Sequence, residues 1–457
     1  HPFIAECILE KSLEEKDLEP FFESIIAAWE DEVGEFRIET IREKRYQWYE
    51  DKSPQQKLLA VTLQALSAAE KLTGRLSERL LQLLLLAAEI ESIGYGVSRE
   101  RLDFLINLRA KCKDISADTG MYLNMLLCCY GYGDIEELDN EYRMQAGNPE
   151  IPVKLKYACA YELGTRYGQL GRFKRMKELA DYLWESNGDT DARIEACILK
   201  ADLAVLEKGD FGIYGEWLER GLEIGRKSGG KKGKAMEDLM CMLCSLYLPL
   251  QKFDKVETLL QEMRNLLCGE KTYFLQWKLM FYQGSLDMYR GQNGYGIENL
   301  TQACRIADSL FCGREDILYA DSITELAMAC NKAGRYEEAC AHYKKALALY
   351  DKLPENSFQK YRVLNNMSVM FLDWGKPEEA LKYLTIASPL GKAFGGISEA
   401  ESENNFSRAW RMLGDREKEL ACLKKALPVL EQNYGSEHPK VVDAKKRLQH
   451  VGDKNGI

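Results

Sequence analysis

The segment Gly225-Arg226-Lys227-Ser228-Gly229-Gly230-Lys231-Lys232 has the spacing of a loop that cradles phosphates with backbone N–H groups. Such a loop needs Ser or Thr after its lysine to reach a magnesium ion, and here that place holds Lys232. Helical periodicity over Trp217 to Ile224 also puts the segment after a helix, without the strand that forms the usual platform. It therefore reads as a basic loop between helices that could touch an acidic partner. Cys241 and Cys244 form a C-x-x-C, but they lie in an apolar helical run with Met240, Met242, Leu243 and Leu246. No second cysteine pair follows at zinc spacing, so core packing is the stronger reading. The histidines are His1, His342, His438 and His450, with no two at metal-ligand spacing and no nucleophilic constellation around them. The carboxylate pairs Glu337–Glu338 and Glu378–Glu379 fall where second helices begin, and there they complement the helix dipole. Tyr273, Phe274, Trp277, Met280, Phe281 and Tyr282 supply more large side chains than one helix face buries, so part of this cluster either fills the core or lines a groove. No catalytic residue, metal or cofactor is expected.

The elements that hold these residues are helical. Hydrophobic residues make up 46% of the 457-residue chain and charged residues 29%, the balance of a folded, soluble protein. Only 11 prolines occur, and they rarely interrupt the apolar periodicity. A net charge of −10 gives no electrostatic reason to expect nucleic acid or an anionic membrane as partner. The apolar stretch Leu80 to Ala88 is broken by Gln82 and is too short to span a bilayer. The 14 cysteines follow no framework, so they read as small buried apolar side chains of a cytoplasmic protein.

Self-similarity decides the fold. Between Asp321 and Leu353 one apolar stripe runs through Ile323, Leu326, Ala327 and Cys330 to a stop at Gly334, and a second through Tyr336, Ala339, Tyr343 and Ala346. The next unit repeats this with Ser368, Phe371, Gly375, Pro377, Ala380 and Ala387, and a third has Ser407, Trp410, Gly414 and Ala426. In the third, Glu419 stands where a small residue is usual. Earlier, Gly164, Tyr167, Gly171 and Phe173 match again. Turn positions fall at Gly133, Gly171, Gly209, Gln251, Gly291, Gly334, Gly375 and Gly414, in steps of 38, 38, 42, 40, 43, 41 and 39 residues. No single hairpin of this size buries its apolar face, and stacking on neighbours supplies the core.

Small residues and aromatics at these offsets resemble the tetratricopeptide repeat, in its long-repeat, kinesin-light-chain-like form, because the step exceeds the usual roughly 34 residues. The stretch Tyr434-Gly435-Ser436-Glu437-His438-Pro439 is similar to the linker between kinesin-light-chain repeats. The resemblance implies an all-α fold, a right-handed superhelical solenoid of antiparallel helix pairs. Residues 1–75 are expected to be an N-terminal helical module or degenerate repeats, with charged helices at Leu18 to Asp31, Arg37 to Tyr49 and Pro54 to Leu72. Tandem repeats are expected over 76–436, beginning with a pair at Ser77 to Cys112 that turns at Gly94-Tyr95-Gly96, and a capping helix and tail over 437–457.

In tetratricopeptide arrays the first helix of each pair lines the concave surface through its second, fifth, ninth and twelfth positions. The resemblance carries these onto Asp321, Arg362 and Glu401; Thr324, Asn365 and Asn404; Met328, Val369 and Arg408; and Asn331, Leu372 and Arg411. Asn365 and Asn404 fall in register, and in related families such asparagines hold the main chain of an extended peptide, one amide supplying donor and acceptor. Arg362, Arg408 and Arg411 could engage carboxylates. The same residues would equally form an ordinary solvated helix face. The Lys/Asn/Asn/Lys/Arg set of chaperone-binding clamps is not present here.

His1 opens the chain, and His1-Pro2-Phe3-Ile4-Ala5-Glu6 resembles the end of the winged-helix segment in bacterial signal-transduction ATPases with numerous domains. Those proteins place an ATPase module and a winged helix before a tetratricopeptide sensor. The resemblance implies a non-catalytic C-terminal sensor region that takes a protein or peptide in its groove, partnered by an ATPase and winged-helix region of the same polypeptide. Two other readings stay open: a self-standing peptide-sensing regulator of the quorum type, and an assembly scaffold.

Overall fold

A computed structural model of the chain describes residues 19–33, 62, 78–85, 106–107, 115–129, 133–186, 188–208, 210–228, 234–267, 273–310, 317–352, 357–394 and 396–453. The expected helices at Arg37 to Tyr49 and Pro54 to Leu72 (Thr62 apart), the turns at Gly94-Tyr95-Gly96 and Gly209, the opening hexapeptide, and Gly229 to Lys232 of the basic loop lie outside these residues. Among the described residues every regular element is a helix. None of these helices is long and apolar enough to cross a membrane. The helices are α1 (Glu19–Val33), α2 (Ala117–Cys129), α3 (Ile135–Ala146), α4 (Val153–Gln169), α5 (Phe173–Trp184), α6 (Thr190–Lys208), α7 (Phe211–Lys227), α8 (Lys234–Tyr247) and α9 (Phe253–Leu267). They continue as α10 (Tyr273–Tyr289), α11 (Asn293–Leu310), α12 (Ile317–Lys332), α13 (Tyr336–Lys352), α14 (Ser357–Asp373), α15 (Pro377–Phe394), α16 (Gly396–Leu413), α17 (Arg416–Tyr434) and α18 (Pro439–Asp453).

The chain divides into two compact units. The first comprises His1–Leu203, Arg220–Glu237 and Arg264–Gln276. Within it α2, α3, α4 and α5 pack in series. Asp139 of α3, 1% exposed, ties α3, α4 and α5 together. It accepts from the Tyr167 hydroxyl of α4 at 3.0 Å and from Arg175 of α5 at 2.7 and 2.9 Å. Burial works to raise this carboxyl, but Arg175, Arg143 and Tyr167 outweigh it and hold it below the usual range. Trp184 takes the guanidinium of Arg193 at 5.0 Å and that of Arg220 at 4.4 Å from its ring centroid.

The second unit comprises Ala204–Glu219, Asp238–Met263 and Trp277–Ile457. From α11 to α18 each helix packs on the next, and the first helices α12, α14 and α16 also pack on one another. This serial stacking is the arrangement a repeat array requires. Turn glycines Gly291, Gly334, Gly375 and Gly414 have φ between 74° and 80°, which lets a carbonyl near the end of the first helix be satisfied as the chain reverses. Small residues then bring the paired helices together: Ala327 and Ala339 are fully buried, as are Ser368 and Ala380. Pro377 opens α15, where its missing N–H is harmless. Glu337 and Glu338, and Glu378 and Glu379, occupy first turns of second helices, as their spacing predicts. Within the aromatic cluster on α10, Trp277 and Phe281 are buried and Met280 and Tyr282 half-buried, the Trp277 indole donating to Ser322 Oγ at 2.8 Å.

Candidate functional site

The first-helix face of the C-terminal repeats carries a row of charge that the apolar core does not use. Asp321, Arg362 and Glu401 sit at equivalent positions of α12, α14 and α16, all half-buried. Arg362 Nη2 donates to Asp321 Oδ1 at 2.7 Å, and the Tyr350 hydroxyl, near the end of α13, donates to the same oxygen at 2.6 Å. The Arg362 side chain stays 35% exposed and that of Asp321 26%, while Arg362 Nε is buried and meets no acceptor. Glu401 accepts from the Tyr434 hydroxyl at 2.7 Å and from Lys440 Nζ at 2.5 Å. Burial raises the Glu401 carboxyl, but Lys440, Tyr434 and His438 outweigh it and hold it low. One helical turn beyond Asp321, the Glu325 carboxyl is raised, by burial first and by the Asp321 charge, against the opposing pull of Arg362.

A second tie runs along the C-terminal ends of the same helices. Asp373, the last residue of α14, stands where the helix dipole disfavours negative charge. Arg408 Nη2 of α16 donates to its Oδ1 at 2.8 Å, and Asn331 Nδ2 of α12 to its Oδ2 at 3.1 Å, so one carboxylate joins three successive repeats. Asn331 Oδ1 is buried without a partner. Arg411 is exposed in the last turn of α16, a favourable place for a cation.

The six sequence-predicted residues thus fall into two groups. Arg362, Arg408, Asn331 and Arg411 lie along the first-helix face, half-buried or exposed. Asn365 and Asn404 are only 7% and 8% exposed. The side-chain carbonyl of Asn365 accepts from Asn405 Nδ2 at 3.0 Å, and that of Asn404 accepts from Arg447 Nη2 of α18. Thr324, their counterpart in α12, is fully buried. Sequence reasoning missed Glu325, Tyr350, Asp373, Tyr434 and Lys440 as members of this face. For Glu325 the signal was present, because a residue four beyond Asp321 shares its helix face.

Several cysteines lie where burial lowers their reactivity. Cys244 is buried and Cys241 half-buried in α8. Burial is the main force that pushes the thiols of Cys128, Cys304 and Cys422 up to about 12, and that of Cys197 to about 11. The thiolate is the nucleophile, so such groups are inert. Among the described residues no His, Cys, Asp or Glu group could hold a metal ion.

Residues 318–390 and 400–440 match models of the tetratricopeptide repeat, and these segments are tetratricopeptide repeats. No curated protein matches the chain. Among solved structures it is similar to a Rap protein complexed with competence and sporulation factor, at 11% identity over 74% of this chain and 97% of that one, with a TM-score of 0.47. It is also similar to the apo form of the quorum sensor NprR from B. thuringiensis, at 15% identity over 81% and 97%, with a TM-score of 0.47. A third likeness is to a kinesin light chain of nearly identical TPR-like repeats from Podosopora anserina, at 17% identity over 60% and 93%, with a TM-score of 0.28. Identities this low and superpositions this loose say nothing of a shared ligand.

Proposed function

We propose that the first-helix face of α12, α14 and α16 binds an extended peptide, and that the chain recognises rather than transforms. The observation that carries this reading is the half-buried row Asp321–Arg362–Glu401 with Arg408 and Asn331 beside it. Its charges are partly desolvated, spaced by one repeat, and leave polar atoms of Arg362 and Asn331 without partners. The exposed parts of these half-buried charges gain from a ligand that supplies hydrogen bonds in register. Arg408 and Arg411 face the ligand's carboxylates, and Asn365 and Asn404 hold the adjacent helices at the spacing the peptide reads.

The test is selection of the full chain against a library of unstructured decapeptides, followed by calorimetry on the selected sequences. Arg408→Glu with Arg411→Glu is expected to weaken binding at least tenfold. Selection of no sequence, or unchanged affinity in that variant, overturns the reading. As a finer proposal, the chain serves as the cytoplasmic sensing region of a larger signalling protein that carries an ATPase and winged helix. The open reading frame upstream of His1 decides this: a Walker motif there supports it, and a start codon just before His1 favours a self-standing regulator.

A further inference from the structure

Repeat arrays make contacts between neighbours, so a contact across many repeats is not required by stacking. One exists in the second unit. Pro249 lies in the turn between α8 and α9, and His438 in the turn between α17 and α18, 189 residues further along. His438 Nε2 sits 2.8 Å from the Pro249 carbonyl oxygen. His438 Nδ1 accepts from the Lys440 N–H at 3.3 Å, which leaves the proton on Nε2 to be donated to that carbonyl. The fit around this contact is not flush. A cavity of about 470 Å³ remains beside it, lined by Glu219, Tyr247 and Lys255 on one side and Asn433 and Tyr434 on the other. Dispersion is forfeited across such a gap, so the contact is held by few atoms.

Tyr434 belongs to both places. Its ring stacks on His438 with centroids 4.6 Å apart and planes at 20°. Its hydroxyl donates to Glu401 at 2.7 Å, and Lys440, two residues past His438, reaches the same carboxylate oxygen. The Glu401 carboxylate therefore orients the ring against which His438 is placed. We propose that Tyr434 couples Glu401 to a clasp formed by His438 and Pro249, so that a ligand engaging Glu401 in the groove releases Tyr434 and opens the clasp. By linkage, a closed clasp weakens that ligand's binding by the same factor, of order tenfold. Only this last step rests on the peptide-binding reading.

Amide hydrogen exchange on the full chain tests the coupling without any ligand. His438→Ala is expected to accelerate exchange about tenfold in residues 247–252 as well as in 433–438. Glu401→Gln and Tyr434→Phe, which keep shape and remove one charge or one hydroxyl, should accelerate the same two segments at least threefold. Glu403→Gln, whose carboxylate pairs with Lys425 on the same helix pair, should leave both at wild-type rates. Unchanged exchange at 247–252 in His438→Ala overturns the clasp. Acceleration there with unchanged exchange in Glu401→Gln and Tyr434→Phe overturns the coupling. A decapeptide selected from the library should accelerate 433–438 in the wild type, and protection of that segment instead overturns the final step. If no peptide is selected, the peptide-binding reading fails while the variant results still decide the coupling.

Discussion

The Arg362 guanidinium and the Asp321 carboxylate, second-position residues of neighbouring repeats, meet at 2.7 Å, and Tyr350 places its hydroxyl on the same oxygen. Burial works against the Arg362 cation, but Asp321 and Glu325 outweigh it and hold its charge firmly in place. The pair is neither a surface pair nor a buried one, at 35% and 26% side-chain exposure. Its coupling should lie above the few tenths typical of exposed pairs, at about 1–2 kcal/mol. Urea denaturation of Asp321→Asn, Arg362→Gln and the double variant measures it. A coupling below about 0.3 kcal/mol would place the pair among solvated surface contacts.

Gln251 occupies the turn position that glycine holds in the neighbouring repeats, and it adopts φ of 57° there, the left-handed region. An L-residue in that region costs about 1–2 kcal/mol, of which glycine's extra freedom in the unfolded chain returns about half. Gln251→Gly should therefore raise stability by about 0.5–1 kcal/mol. Gly334→Gln, with φ of 74° in the wild type and nothing within 4 Å of where a Cβ would stand, should lower it by as much. Urea midpoints of both variants check the opposite signs.

Gln251 also marks how far the sequence could be read. A beat of about 40 residues named it as a turn with no glycine to signal it, because turn chemistry and apolar spacing are local and repeat exactly as the helices do. The side of each first helix that faces solvent is set instead by which neighbouring helices pack against it. Asn365 and Asn404 consequently lie buried against Asn405 and Arg447, whereas Arg362 and Arg408 reach the open face. No local pattern could have joined His438 to Pro249, because nothing within 40 residues of either encodes the return of the chain.

Gly284 of α10 and Gly296 of α11 occupy the two small-residue positions that Ala327 and Ala339 fill one repeat later. A Cβ at Gly284 would stand 2.7 Å from Leu300 Cγ, 3.0 Å from the Leu300 nitrogen and 3.1 Å from the Gly296 carbonyl oxygen. Two of these are backbone atoms, so relief requires the helices to part. Overpacking of this kind costs about 1–3 kcal/mol, against about 1 kcal/mol gained in helix propensity. Gly284→Ala should thus destabilise by up to about 2 kcal/mol. Gly120→Ala in α2, whose Cβ would meet only Ile115 at 3.6 Å, should stabilise by up to about 1 kcal/mol. Thermal unfolding of the two alanine variants reads the difference.

Asp202 of α6 is half-buried, and burial alone pushes its carboxyl up to about 7. The unfolded chain loses this proton near pH 4 and the folded one near pH 7, so the folded state binds more protons between them. Stability should fall as pH rises from about 4 to 7 and level off above. Asp202→Asn removes the titration and should be more stable than the wild type at pH 8, with the two converging at pH 4. Urea midpoints across that range check the sign, and a parallel pair of curves would show that Asp202 titrates normally.

Arg447 of the last helix is 4% exposed, and its whole fork is used: Nη1 donates to Ser407 Oγ at 2.6 Å, Nη2 to the Asn404 side-chain carbonyl, and Nε to Asp443 Oδ2 at 2.8 Å. Burial pulls its pKa down, opposed by Asp443, yet an arginine so shifted still carries its charge at neutral pH. The guanidinium thus seals the polar end of α16 against α18, in a repeat whose small-residue position is taken by the buried Glu419. Arg447→Met leaves both Ser407 and Asn404 without their donor inside the cap, which should cost about 2–4 kcal/mol. Arg447→Lys keeps the charge but offers no planar fork, so it should recover less than half of that loss. Amide exchange across 400–413 and 439–453 would show faster opening in both variants. Wild-type protection in Arg447→Lys would mean that charge alone, and not the three-way fork, holds the cap.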